Sequence, residues 1–279
     1  MEAIVHVGIT RHGQEGVTGA EDCLAVEAPL AIYLRQGADG ARQTRCVSVT
    51  MRTPGSDRHL APGFLFTEGI LGPQPGISSV REEAMGENTV LITLEPEVVP
   101  DLRGAERNFY TTSSCGVCGK SSIEAIRTVV PFPAPDDPGP QVSADTLLTL
   151  PALLRGQQAV FSSTGGLHAS ALFTPGGAFV ALSEDVGRHN ALDKLIGRAL
   201  TEGLLPLGGH ILLLSGRASF ELIQKAAMAG IRVVAAIGAP SSLAVELAAA
   251  EGITLVGFLR GERFNIYTHG RRIGPAGTH

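Results

Sequence analysis

The chain has 279 residues, 44% of them hydrophobic and 18% charged, enough to bury a substantial core in one large domain or in a small domain beside a larger one. A formal net charge of -5 excludes broad electrostatic binding to nucleic acid and leaves room only for a local basic pocket. The 35 glycines and 17 prolines favour many short elements joined by tight turns over long helices.

Nothing in the opening residues Met1 to His6 resembles a secretory signal, and the longest apolar runs, Ile211 to Leu214 and Ile231 to Ile237, are too short to cross a bilayer. A cytoplasmic protein without membrane association is expected, with Cys23, Cys46, Cys115 and Cys118 kept as thiols.

Four runs in the first hundred residues read as strands: Leu24 to Val26, Leu30 to Leu34, Cys46 to Thr50 and Val90 to Leu94. One helix interrupts them, predicted from about Asp57 to Ile70. Ser56 or Asp57 would cap it, and Leu60, Phe64, Phe66 and Ile70 would form its buried face. This is an α+β block. A strand over Asn108 to Thr112 and a helix over Ser121 to Val130 then flank a glycine-rich loop. The proline-rich stretch Pro131 to Pro140 reads as a surface connection.

From Gln141 onward strands alternate with helices, the signature of a parallel or mixed sheet covered by helices. The predicted strands are Ala159 to Ser162, Ala178 to Leu182, Ile211 to Leu214, Arg232 to Ala236, Thr254 to Gly257 and Phe264 to Thr268. The predicted helices are Val142 to Leu154, Arg188 to Leu200, Phe220 to Ala229 and Leu243 to Ala250.

Three groups of residues can carry chemistry. The first is Cys115-Gly116-Val117-Cys118-Gly119. A thiol in a flexible loop at a helix N-terminus is accessible, and the helix dipole together with Lys120 lowers its pKa toward a reactive thiolate. Half of a zinc site and a pair of turn cysteines are the alternatives. A closed zinc site lacks a second cysteine pair, and Cys23 and Cys46 read as small buried hydrophobes.

The second group is the segment from Ser163 to His168 with Glu184 to Lys194, which gathers polar residues where a core would ask for Val and Leu. Asp185 could be a helix cap, and His189 with Asp193 a solvated pair. His168 and His189 follow glycine-containing turns where backbone can approach a ligand, and are site candidates.

The third group is a pair of strand-to-helix turns, Ser215-Gly216-Arg217-Ala218-Ser219 and Gly238 to Ser242. Small residues at a helix start offer open N-H groups to an anion, and Arg217, Arg260 and Arg263 can add charge and bidentate hydrogen bonds. Ordinary capping would account for Ser219 and Ser241 but not for the arginine in the turn. No Walker A or GxGxxG sequence is present.

The segments CGVCG at 115 to 119, TGGLH at 164 to 168, EDVGRHNALDK at 184 to 194, SGRAS at 215 to 219 and FLRGERFNIYTH at 258 to 269 resemble the formate dehydrogenase accessory protein family FdhD. That resemblance implies a sulfurtransferase, a sulfur carrier that takes sulfur from a cysteine desulfurase as a persulfide. It passes that sulfur to the molybdenum cofactor, bis(molybdopterin guanine dinucleotide), for formate dehydrogenase. It also implies a homodimer and a cytidine-deaminase-like three-layer α/β domain over residues 107–279, after a smaller N-terminal α+β domain over residues 1–106. The deaminase zinc signature of HxE with PCxxC is absent.

By position, Cys115 would bear the persulfide with Cys118 as its partner. Phe258, Leu259, Arg260, Gly261, Glu262 and Arg263 match the segment that takes the guanine dinucleotide. Ser215, Gly216, Arg217, Ser219, Ser241, His168, His189 and Asp185 would shape the cofactor pocket, and no permanent metal is expected. A non-catalytic cofactor chaperone is the alternative, and a CxxC thiol-disulfide oxidoreductase a third reading.

Overall fold

Three helices lie against one face of a six-stranded sheet and a fourth against the other, and the sequence of the strands explains why. In the computed structural model, which describes residues 2–14, 16–102, 128–132 and 139–275, that sheet has the order β13-β12-β11-β10-β8-β9. Its strands are β8 (His168–Phe173), β9 (Phe179–Asp185), β10 (Ile211–Leu214), β11 (Val233–Ala236), β12 (Thr254–Arg260) and β13 (Arg263–Thr268). The three central strands β10, β11 and β12 run parallel, and the outer ones are antiparallel to their neighbours.

Helices α4 (Arg188–Thr201), α5 (Phe220–Met228) and α6 (Ser242–Ala250) cover one face, where Leu212, Leu214, Val234 and Ala236 meet Leu195, Ile223 and Leu247. Helix α2 (Ala144–Gln157) covers the other, where Ile211, Leu213, Val233 and Ala235 meet Leu147, Leu150 and Leu154. Strands buried on both faces need apolar residues at every position, so they read as unbroken runs. A short parallel pair, β7 (Val142–Ser143) with β14 (Ile273–Gly274), ties the end of the described chain to the start of α2.

The N-terminal part holds two further sheets. The strands β1 (Ile4–Gly13) and β2 (Gly16–Ala25) form an antiparallel hairpin. The strands β3 (Ala28–Gln36), β4 (Gln43–Arg52), β5 (Ile77–Glu82) and β6 (Thr89–Leu94) form a sheet of order β4-β3-β6-β5. Leu30, Ile32 and Leu34 alternate toward α1 (Asp57–Thr67), packing with its Leu60, Ala61 and Leu65. On its other side α1 crosses α4 at two glycines. A Cβ on Gly63 would collide with the Asp193 carbonyl, and one on Gly197 with the His59 carbonyl.

Several expectations change. Ala159 to Ser162 is not a strand but the start of helix α3 (Ala159–Thr164), because the Glu184 carboxylate accepts the N-H groups of Val160 and Phe161 at 3.2 and 2.9 Å. Val142 is in β7, and α2 begins after Ser143, whose hydroxyl accepts the Thr146 N-H at 3.0 Å. The α1 helix ends at Thr67, not Ile70, and Ser56 precedes it without a side-chain cap. Glu82 instead accepts the Arg58 N-H at 2.9 Å. Cys23 is not a buried hydrophobe: it sits partly exposed on the hairpin, its sulfur 3.6 Å from His6 Nδ1.

Cys115, Cys118, the Asn108 to Thr112 strand and the expected boundary at residue 106 lie outside the described residues. So does the predicted helix from Ser121, apart from its last three residues, which are not helical.

Candidate functional site

The carboxyl ends of β10, β11 and β12 are stitched into one rim by backbone hydrogen bonds. Gly238 N-H donates to Gly216 O at 2.9 Å, Ser241 N-H to Ala218 O at 3.0 Å, and Phe258 N-H to Gly238 O at 3.0 Å. On the β8 side, Ser215 exchanges two bonds with Ala169: its N-H donates at 3.0 Å and its hydroxyl accepts at 2.8 Å. A Cβ on Gly238 would press within 3.0 Å of Gly216 O, so glycine at this turn permits the close approach of the two segments. The SGRAS turn, the turn after β11 and the start of FLRGER are therefore one structure.

Phe258 stands in this rim with φ 53°, a left-handed conformation that costs a non-glycine residue about 1–2 kcal/mol. It lies where β12 slips register against β13 between Gly257 and Arg260. The Arg260 guanidinium lies over its ring, 5.6 Å from the centroid. Leu259 is buried, whereas Arg260, Gly261, Glu262 and Arg263 are exposed at the hairpin turn.

His168 opens β8 opposite Asp185 and lies against Gly216, where an added Cβ would sit 3.3 Å from Nδ1. Burial, and then the nearby Arg188 charge, push its pKa down against the pull of Asp185. His189, in the first turn of α4, places Nε2 3.9 Å from a Glu221 carboxylate oxygen on α5. Burial, Lys225 and Arg188 push its pKa down to about 4, so the ring is neutral at pH 7. Both rings are therefore neutral hydrogen-bonding groups near pH 7.

Asp185 is neither a cap nor open to a ligand: it is 0% exposed, and both oxygens are occupied. Oδ2 takes Lys194 Nζ at 2.7 Å and the Thr53 N-H at 3.2 Å. Oδ1 takes the Gly187 N-H at 2.8 Å and Asn190 Nδ2 at 3.2 Å. Lys194 also donates to Thr53 O at 2.8 Å, and Asn190 to Met51 O at 2.8 Å. These bonds clamp the EDVGRHN turn to the end of β4, which fixes where His168 and His189 stand.

Asp193 does not pair with His189. It faces Lys225 at 3.0 Å in a buried cluster with Thr67 and Glu68.

The structure thus brings together Ser215, Gly216, Arg217, His168 and Phe258 at the rim, with His189 at the adjoining starts of α4 and α5. Ser241 is occupied as the cap of α6, accepting the Ala244 N-H at 3.2 Å, whereas Ser219 makes no capping bond at α5. Sequence reasoning missed Arg188 as a site residue. Its charge acts on both histidines, and its buried Nε has no hydrogen-bond partner among the described residues. Its position inside EDVGRHN was the available signal. Among the described residues no three His, Cys, Asp or Glu side chains converge on a metal site.

Residues 25–274 match the FdhD/NarQ family. The chain belongs to that family. Among its relatives, the sulfur carrier protein FdhD of Mycolicibacterium paratuberculosis is 52% identical, over 91% of this chain and 92% of the relative. That of Streptomyces coelicolor is 50% identical over 92% and 91%. A crystal structure of a formate dehydrogenase accessory protein from Desulfotalea psychrophila has the same fold, with a TM-score of 0.73 and 21% identity, covering 98% of this chain and 100% of that one. No helix among the described residues is long and apolar enough to cross a membrane.

Proposed function

We propose that this member of the family is a sulfur carrier in the maturation of formate dehydrogenase, acting in the cytoplasm as a homodimeric sulfurtransferase. The observation that carries the reading is the membership itself, with sulfur carrier relatives at half identity over nine tenths of the chain.

In this reading the Cys115 thiolate attacks the outer sulfur of a cysteine desulfurase persulfide. The desulfurase thiolate leaves, and Cys115 holds the sulfur as a persulfide. Attack by the Cys118 thiolate on the inner sulfur then expels hydrosulfide toward the acceptor and leaves a Cys115-Cys118 disulfide, which a dithiol reductant reopens.

The acceptor in this reading is the molybdenum cofactor carrying guanine dinucleotides, a substrate with many phosphates. The rim fits such an anion. Arg217, Arg260 and Arg263 are exposed there and can pair with phosphate oxygens. Ser215, Gly216, His168 and the Phe258 to Arg263 segment would line the nucleotide. Ser241 and Asp185 would hold the rim without touching it.

We also read residues 107–279 as a cytidine-deaminase-like domain after a smaller one over 1–106. The mixed sheet between two helical layers supports the first part of that reading.

The test incubates the protein with a desulfurase and cysteine and maps a gain of one sulfur by mass spectrometry. Cys115→Ala should abolish labelling; labelling that persists elsewhere overturns the assignment. Formate dehydrogenase activity that survives loss of both cysteines would mean a cofactor chaperone instead.

A further inference from the structure

The hairpin of β1 and β2 pairs over its full length, from Ile4 opposite Ala25 to Gly13 opposite Gly16, and joins no larger sheet. Nearly all of it precedes residue 25, where the family match begins. Among the described elements, α3 makes the most extensive contact with it, from the β2 side near the base, where Ala25 meets Gly166. A two-stranded hairpin is at best marginally stable alone in water, so an apolar face left exposed among the described residues calls for cover.

Side chains alternate across the two faces. Ile4, His6, Cys23 and Ala25 share the face whose base meets α3. The opposite face carries Val5 beside Leu24, Val7 beside Asp22, Ile9 beside Ala20, and Arg11 beside Thr18. Val5 and Leu24 are each 45% exposed.

Charge on this face has a pattern of its own. Asp22 and Arg11 each stand one pair away from Ile9 and Ala20, on opposite sides. Four residues of strand, about 14 Å, keep them from meeting within one chain. A two-fold axis through the Ile9 pair, perpendicular to the strands, sets Arg11 diagonally across from the partner's Asp22, and does so twice. The same operation lays the bulky Val5 and Leu24 over the glycines of the other hairpin's tip.

We infer that this face is where a second copy of the chain docks, two hairpins stacking face to face about the Ile9 pair with reciprocal Arg11 to Asp22 ion pairs. The inference rests on the homodimer reading above and assigns its surface. A face about 34 Å long and 10 Å wide buries on the order of 600 Å² over both copies, which suits a weak, concentration-dependent association.

Sedimentation of the full chain over a range of concentrations tests it with Arg11→Asp, Asp22→Arg and the double exchange. Each single exchange should weaken dimerisation about tenfold or more, and the double should restore it to near the parent value. A dimer whose constant ignores both single exchanges overturns this surface and leaves the homodimer standing. A parent protein that is monomeric at every concentration overturns both.

Discussion

The Lys194 ammonium lies 2.7 Å from the Asp185 carboxylate, with the two side chains 3% and 0% exposed. The pair joins the end of β9 to α4, and through Thr53 it joins both to the N-terminal sheet. Breaking a buried pair from one side leaves a charge in low dielectric, which costs about 3–5 kcal/mol. Asp185→Ala should lose that much stability in urea unfolding, because Lys194 would keep only the neutral Thr53 carbonyl as acceptor and the N-H groups of Thr53 and Gly187 would lose theirs.

A second buried cluster holds α1, α4 and α5 together. Lys225 donates to Thr67 at 2.8 Å, Glu68 at 2.9 Å and Asp193 at 3.0 Å, and Thr67 donates to Asp193 at 2.7 Å. Burial pushes the Lys225 pKa down, but Asp193 and Glu68 outweigh it and hold the ammonium charged. Thr67→Val keeps the shape and removes the hydroxyl that both charged groups use. A loss of about 2–3 kcal/mol is expected in denaturant titration, against a smaller loss for Thr50→Val, whose hydroxyl serves no buried charge.

The crossing of α1 and α4 depends on two missing methyl groups. A Cβ at Gly63 meets the backbone of Asp193, which cannot rotate away as a side chain would. Gly63→Ala should therefore destabilise by about 3 kcal/mol or more, although alanine normally favours a helix interior by about 1 kcal/mol. A thermal melt equal to or above that of the parent would show that the helices can separate without cost.

His189 makes stability depend on acid. Its folded pKa of about 4 lies below the unfolded value near 6.5, so protonation favours the unfolded chain. The contribution is complete above about pH 6.5 and is lost as pH falls toward 4, with an upper bound on the order of 3 kcal/mol. His189→Gln should flatten unfolding free energy against pH across that window relative to the parent.

Much of the sheet was legible because burial on both faces dictates composition: Ile211 to Leu214 is a strand with the bounds its apolar run predicts. The misread segment Ala159 to Ser162 is apolar too, but its conformation is decided by Glu184, a residue more than twenty positions away. β8 escaped notice because His168 to Phe173 is built from small residues over Ala169 to Ala171, so its polar-apolar alternation is weak and its apolar run only three residues long. At the site, the sequence singled out Gly216 and His168 separately, and the fold sets the His168 ring against Gly216. The role of Asp185 was hidden, since its partner Thr53 is 132 residues away and no local spacing announces it.

Phe258 separates binding from stability. Its left-handed backbone is strained, so Phe258→Gly recovers about 1 kcal/mol while removing a ring that is only partly buried. The two effects offset, and unfolding free energy should change by less than about 1 kcal/mol. Guanosine diphosphate, as a fragment of the proposed acceptor, should bind about tenfold more weakly, since the Arg260 guanidinium loses the ring it lies over. Calorimetric titration of both proteins decides the point. Equal affinity would remove Phe258 from the nucleotide site, and a large loss of stability would show that the ring holds the rim itself.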